Sequence, residues 1–176
     1  MKSNLVLKAI KERRSILNFK DQGLSKEEID TVLEAGRWAP SFANLQPWRF
    51  LVIRDENKKE QLYDDVGEVT FFRKGLLDAP AIIAIAVNQD EDTDHYIEAG
   101  AVATQNMSLA AHSIGLSSYW IGIFDIAEKR NSAEERVKDT LELSDNFRVI
   151  ALLPLGKSDK QEHGERKGLD EITRHI

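Results

Sequence analysis

Cysteine is absent from the 176-residue chain. That absence removes disulfide staples, thiolate nucleophiles, iron–sulfur clusters and cysteine-ligated zinc together. Proline (four) and glycine (ten) are sparse, which excludes collagen-like and low-complexity chains. Long apolar runs are missing as well. The longest, from Ala79 to Val87, is far short of the roughly 20 residues that span a bilayer. The opening stretch from Met1 to Lys8 lacks a signal peptide's extended apolar centre and small-residue cleavage site, so a cytoplasmic location is expected. Positive charge is in the minority: 24 Lys and Arg against 30 Asp and Glu give −6, which argues against a nucleic-acid module. The 41% hydrophobic content is too high for a disordered chain, and the length suits one domain over residues 1–176.

The familiar chemistry-bearing motifs are missing too. Gly156–Lys157–Ser158 imitates the end of a P-loop, but the upstream glycine that motif requires is Ala151. No GxGxxG follows a strand, and there is no GxSxG elbow. His95, His112, His163 and His175 lack paired-ligand spacing. His112, on an apolar helix, reads as a core histidine. Asp90, Glu91, Asp92 and Asp94 lack the glycine and distal glutamate of a calcium loop, and read as a solvated loop with helix-capping duty.

Periodicity and caps then predict the elements. Leu5 to Glu12 reads as a short helix. Ser25-Lys-Glu-Glu28 is a capping box opening a helix with Ile29, Val32, Leu33 and Gly36 at helical spacing, ending near Pro40. Trp48 to Arg54 reads as a strand, followed by an Asp55-capped helix to about Asp65. Ala81 to Val87 reads as a strand buried on both faces. Asp94 to Ile114 is the longest helix, apolar on almost every face, and so must be covered on almost every face. Leu116 to Ile121 reads as one strand, Ser132-Ala-Glu-Glu135 as a second capping box, and Phe147 to Leu155 as a strand ending at Gly156. The last residues, Leu169 to Ile176, read as weakly strand-like and docked on a partner's sheet edge. The class expected is α+β, with a central, mostly antiparallel sheet of four to five strands flanked by helices.

Two segments suggest chemistry. In Glu12-Arg-Arg-Ser-Ile-Leu-Asn-Phe19, Arg13 and Arg14 offer planar guanidinium forks and Ser15 a hydroxyl, a combination suited to phosphate oxygens. The same residues also fit a solvated helix end whose cations complement the macrodipole. In Ala39-Pro-Ser-Phe-Ala-Asn-Leu-Gln-Pro-Trp48, two prolines stiffen the backbone while Ser41, Asn44 and Gln46 present polar groups. Such groups can read the edge of a planar heterocycle; an ordinary capped loop with a core tryptophan fits equally.

Taken together, Arg-Arg-Ser followed by Ala-Pro-Ser-x-x-Asn-x-Gln-Pro-Trp resembles the flavin-dependent nitroreductase family. Leu77-Asp-Ala-Pro-Ala-Ile-Ile-Ala, Asn106 to Leu116, Phe147 to Gly156 and Glu165 to Glu171 are similar to later blocks of that family, in the same order. The resemblance implies a homodimer with FMN at each of two interface sites, and residues 158–176 as an arm reaching the partner. It assigns Arg13, Arg14 and Ser15 to the FMN phosphate and ribityl chain, with Arg166 and Lys167 closing on the same phosphate. Pro40, Ser41 and Phe42, with Asn44 and Gln46 close by, would reach the partner's flavin. The stretch Tyr119-Trp120-Ile121-Gly122-Ile123 would lie beside the isoalloxazine ring, the backbone N–H of Gly122 or Ile123 facing N5. Hydride enters and leaves at flavin N5, so no catalytic side chain and no metal is required.

This chain departs from the family pattern at two positions. Leu17 stands where members commonly carry a cation that stabilises the reduced ring, and Arg73 and Lys74 are the candidate replacements. Phe42 is bulkier than the residues common at its position and would narrow the pocket above the ring. Phe71, Phe72 and Phe124 read either as pocket walls or as core aromatics. The function expected is an FMN enzyme taking hydride from NADH or NADPH and passing it, ping-pong, to a nitroaromatic, quinone or similar small acceptor. The alternatives are a specialised flavoenzyme of the same fold (dehalogenase, flavin-degrading or peptide-ring dehydrogenase type) and a non-catalytic FMN-binding or sensory protein.

Overall fold

The centre of the molecule is a strand with almost no polar atom to offer. β2 (Ala81–Asn88) is fully buried from Ala81 to Val87, because it lies between two other strands and under helices on both faces. Side chains alternate across a strand. Ile82 and Ala84 therefore enter one apolar cluster, with Leu62, Leu76, Val137 and Leu152. Ala81, Ile83 and Ile85 enter another, with Val32, Met107, Leu153 and Leu155. The computed structural model describes residues 4–67, 73–127 and 129–176. Phe71 and Phe72, read above as pocket walls or core, lie outside the described residues.

That strand is one of five in an antiparallel sheet. β1 (Trp48–Ile53) pairs with β2, which pairs with β5 (Phe147–Gly156); β3 (Ser117–Ser118) and β4 (Ile121–Gly122) both pair with β5. A register shift at Ile85/Ala86 marks a bulge in β2. The helices are α1 (Leu5–Glu12), α2 (Lys26–Arg37), α3 (Glu56–Val66), α4 (Lys74–Asp78), α5 (Tyr96–Ser113), α6 (Ala133–Thr140) and a single turn, α7 (Leu169–Ile172). Local chemistry fixes where they start. Asn4, Ser25, Asp55 and Ser132 each accept a first-turn backbone N–H, and Ser25 forms a reciprocal box with Glu28. α2 and α5 meet closely because position 36 is glycine: a Cβ there would overlap the Met107 side chain. No helix among the described residues is long and apolar enough to cross a membrane.

Four expectations need correction. Leu116 to Ile121 is two short strands rather than one. The break at Tyr119 and Trp120 lies opposite Leu153 and Pro154 of β5, where proline has no N–H to give a ladder. The box at Ser132 is only half formed, because the Glu135 carboxylate bonds the N–H of Asn131 instead. The end of the chain turns helically at α7 instead of extending, since Glu171 Oε1 accepts the Gly168 N–H at 2.7 Å and closes the turn. α5 begins at Tyr96, two residues late, because Asp92 already caps the turn before it, accepting from His95 N–H at 2.9 Å.

Both ends of the chain leave apolar side chains uncovered. α1 buries none of its residues, with Leu5 at 75% and Val6 at 67% exposed. Leu169, Ile172 and Ile176 of the terminal arm are more than half exposed as well.

Candidate functional site

α1 ends where the backbone of Arg13 turns extended, and that exit aims Arg13 and Arg14 into a cavity of about 390 Å³. The same cavity is lined by His112 and Leu116 at the end of α5, by Ser117 and Ser118 of β3, and by residues 160–163 of the arm. Ser15 is exposed at its edge, bridged in parallel to Ser118, and Ile16 N–H donates to the Ser118 carbonyl at 3.1 Å.

Charge is crowded there. Burial, then the neighbouring guanidinium groups of Arg14 and Arg166, lower the proton affinity of Arg13. Arg14 Nη1 donates to the carbonyls of Lys11 and Arg13 at 2.6 and 2.8 Å, while its Nε is buried with no partner. Gly164 brings the arm onto this pair: a Cβ there would sit 3.2 Å from Arg166 Nη1 and 3.3 Å from Arg14 Nε. Mutually repelling cations with an orphaned buried donor are costly in isolation. They fit a multiply charged oxyanion, which accepts from several guanidinium N–H groups at once. The phosphate of FMN meets that requirement. Lys167 is exposed beside Arg166.

A second element lies along the core edge of the first. Gly75 in α4 is wedged against Leu17 and Tyr119, a Cβ there falling 2.7 Å from Leu17 O and 2.6 Å from Tyr119 Oη. Lys74, the exposed first residue of α4, immediately precedes this contact in the chain. Arg73 lies over the ring of Tyr63 at 4.5 Å, committed to that stack. Leu17 itself packs on the core. Burial, then the Asp78 carboxylate, push the Tyr119 hydroxyl pKa up, so the phenol stays neutral and is no acid–base group at ordinary pH. Trp120 is exposed, Ile121 and Ile123 are buried, and Gly122 is exposed with nothing nearer its Cβ position than Trp120 Nε1 at 3.7 Å. That leaves one stretch of backbone open to a planar ligand. Phe124 is half-buried, with the Arg148 guanidinium 4.4 Å from its ring centre and Tyr96 edge-on at 6.4 Å, which favours the core reading.

The segment 39–48 is elsewhere. Ala39 and Trp48 are buried as anchors, and between them Pro40, Phe42, Asn44 and Gln46 are exposed. Its shape comes less from the prolines than from one hydroxyl. Ser41 Oγ accepts Gln46 N–H at 2.9 Å across three residues with left-handed φ: Ala43 (44°), Asn44 (60°) and Gln46 (53°). Phe42 stacks on His95, ring centres 4.3 Å apart. His95 stands just before the first residue of α5 and His112 in its last turn. At 1.5 Å per residue those two points are about 25 Å apart. The phosphate-like cavity and the 40–46 loop of one chain therefore lie at opposite ends of α5, too far apart to hold one flavin between them.

Sequence reasoning missed several lining residues. His112 is not a core histidine: it sits half-buried at the mouth of the cationic cavity. Its place in the last helical turn, three residues before Gly115, was the available signal, since a helix end faces a loop rather than the core. Ser117, Ser118 and residues 160–163 left no signal, being placed by tertiary contact alone.

The sequence model of the Nitroreductase family matches residues 10–74 and 67–157. A protein provisionally named NADH dehydrogenase/NAD(P)H nitroreductase from Archaeoglobus fulgidus is 30% identical over 175 residues, 96% of each chain. Among solved structures, a provisionally named nitroreductase in complex with FMN from Desulfovibrio desulfuricans is 30% identical, with a TM-score of 0.86 over 99% of this chain and 98% of that one. An FMN-dependent nitroreductase from Clostridium difficile is 28% identical, with a TM-score of 0.86 over 97% and 98%. The two-sided α+β sheet, the arginine-lined cavity and these matches agree: this chain belongs to the nitroreductase family.

Proposed function

We propose that this chain is an FMN-dependent oxidoreductase, working as a homodimer, that takes hydride from NADH or NADPH and passes it in ping-pong fashion to a nitroaromatic, quinone or similar acceptor. The observation that carries the reading is the arginine-lined cavity with its orphaned Arg14 Nε, a donor that a bound anion would satisfy. In this reading Arg13, Arg14, Ser15, Arg166 and Lys167 hold the phosphate and ribityl chain, and the open backbone from Trp120 to Ile123 runs along the ring. Pro40, Ser41, Phe42, Asn44 and Gln46 serve the site of the other protomer. The separation of about 25 Å along α5 supports that exchange, as do the uncovered apolar surfaces of α1 and the arm. Bound FMN supplies hydride transfer at N5. The residues position it, exclude water and set the potential around it.

The test is an anaerobic absorbance titration of the FMN-loaded protein with NADH and then NADPH. Bleaching by either supports the reading. A flavin that stays oxidised until dithionite is added would overturn hydride transfer from nicotinamide, and a protein that retains no flavin would overturn the phosphate site.

A smaller effect is expected next to Leu17. A cation near the ring favours its reduced, anionic form, and Lys74 is the exposed cation one residue before Gly75, which packs against Leu17. Lys74→Met is expected to lower the bound flavin's midpoint potential by about 30 mV, the two-electron equivalent of ~1.4 kcal/mol. A redox titration against wild type measures it, and an unchanged midpoint would remove Lys74 from this role.

A further inference from the structure

Phe42 stands on a loop that does not hold itself in place. Three non-glycine residues in left-handed conformation mean that the backbone is kept there by its contacts. Ser41 and Gln46 tie the base of the turn, but the Phe42 side chain projects from it, 57% exposed, against one neighbouring ring among the described residues. That ring is His95, nearly parallel to it at 17°.

His95, in contrast, is built on rigid ground. Its N–H donates to the buried Asp92 carboxylate at 2.9 Å, and its carbonyl accepts the Ala99 N–H at 3.1 Å in the first turn of α5. Among the described residues no hydrogen bond fixes its imidazole: Nδ1 is buried and unpartnered, 3.7 Å from Asp92 Oδ1, and Asp92 Oδ2 is unpartnered too. At 3.7 Å the two groups are too far apart to bond. Buried polar atoms are seldom left unmatched, and here the mismatch goes with an imidazole laid flat on Phe42.

We infer that His95 is a positioning residue that sets acceptor size: it props Phe42 in the place from which that ring narrows the pocket over the partner protomer's flavin. The inference rests on the reading that the 40–46 loop serves the other protomer's site. His95 touches neither cofactor nor acceptor and acts through Phe42, so its loss shows as a change in discrimination rather than in flavin binding or hydride uptake.

The experiment compares wild type, His95→Ala, His95→Phe, Phe42→Ala and the His95→Ala/Phe42→Ala double variant, all FMN-loaded. The acceptors are p-benzoquinone and a bulkier two-ring naphthoquinone. Phe42→Ala and His95→Ala are each expected to raise kcat/KM for the larger quinone relative to the smaller by about tenfold, the scale of one misfitted group in a pocket. Most of the change should lie in KM. His95→Phe keeps the stack and should keep the wild-type ratio. The double variant should match Phe42→Ala alone, because the two residues act as one unit. A readout independent of turnover is the proton NMR spectrum of flavin-free protein, where the His95 ring protons should lie upfield in wild type and lose that shift in Phe42→Ala. Equal effects of His95→Ala on both quinones, or an effect that persists without Phe42, would overturn the inference. Failure of wild type to bind FMN would instead overturn the functional reading beneath it.

Discussion

Arg13→Met is expected to make the flavin-free protein more stable and, at the same time, to weaken FMN binding by about 10- to 100-fold. The two effects share one origin. In the flavin-free chain the Arg13 guanidinium is held against Arg14 and Arg166 with part of its hydration removed, so its charge opposes folding. Methionine keeps the aliphatic stem in contact while deleting the charge, and the thermal midpoint should rise by roughly 1–3 °C. A base whose charged form is disfavoured in the folded state carries that penalty at every pH below its folded pKa. The difference in midpoint should therefore be flat between about pH 5 and 9, and should shrink with added salt. With FMN present the sign reverses, because a hydrogen bond to a charged group contributes about 1.5–3 kcal/mol. Fluorescence titration with FMN and with riboflavin separates the causes: riboflavin, which lacks the phosphate, should bind both proteins alike. An equal loss for both ligands would mean that Arg13 shapes the cavity and does not read the phosphate.

The second large effect lies away from the cavity. Glu134, 3% exposed, accepts four hydrogen bonds: from Arg148 Nε and Nη2 at 2.7 and 2.8 Å, from Val149 N–H at 3.0 Å and from Asp125 N–H at 2.8 Å. One carboxylate thus joins α6, β5 and the loop that continues from β4. Glu134→Ala removes the carboxylate that faces a buried guanidinium and leaves two backbone donors without their acceptor, which should cost about 3–5 kcal/mol. At 2–4 °C per kcal/mol for a chain of this size, the melting midpoint should fall by roughly 6–20 °C. Replacing both partners, as Glu134→Leu with Arg148→Met, should restore much of the loss, since an apolar pair leaves no stranded charge. A fall of only a degree or two in the single variant would show that water takes over these contacts. Because Arg148 Nη2 also holds the Asp125 carbonyl at 2.7 Å, the damage should extend to the backbone of residues 121–125.

Only part of this architecture was legible in the residues alone. β2 was legible because burial on both faces demands an unbroken apolar run, and α2 because Ser25 and Glu28 close a box whatever surrounds them. The arginine pair was legible as chemistry but not as a site: nothing near Arg13 in sequence announces His112 or residues 160–163, which meet it only after the chain has folded. The break between β3 and β4 was hidden because its cause, Pro154, lies on the neighbouring strand. α7 was misread because its apolar residues suggest a strand while a local Gly168–Glu171 contact decides the turn. His95 left no trace either, since a stacked ring depends on where a loop some fifty residues earlier comes to rest.

The three clustered arginines sit on weakly anchored parts of the chain. Arg13 and Arg14 follow α1, which buries nothing, and Arg166 rides on the exposed arm, whereas β2 and β5 fill the dry centre. Local opening should thus be frequent at both chain ends and rare in the sheet, so amide protons of α1 and the arm should exchange with solvent long before those of β2. An anion that ties these two ends together closes a loop of about 150 residues. Its binding energy should appear mainly as slower opening of the ends, with the protection of the central strands nearly unchanged.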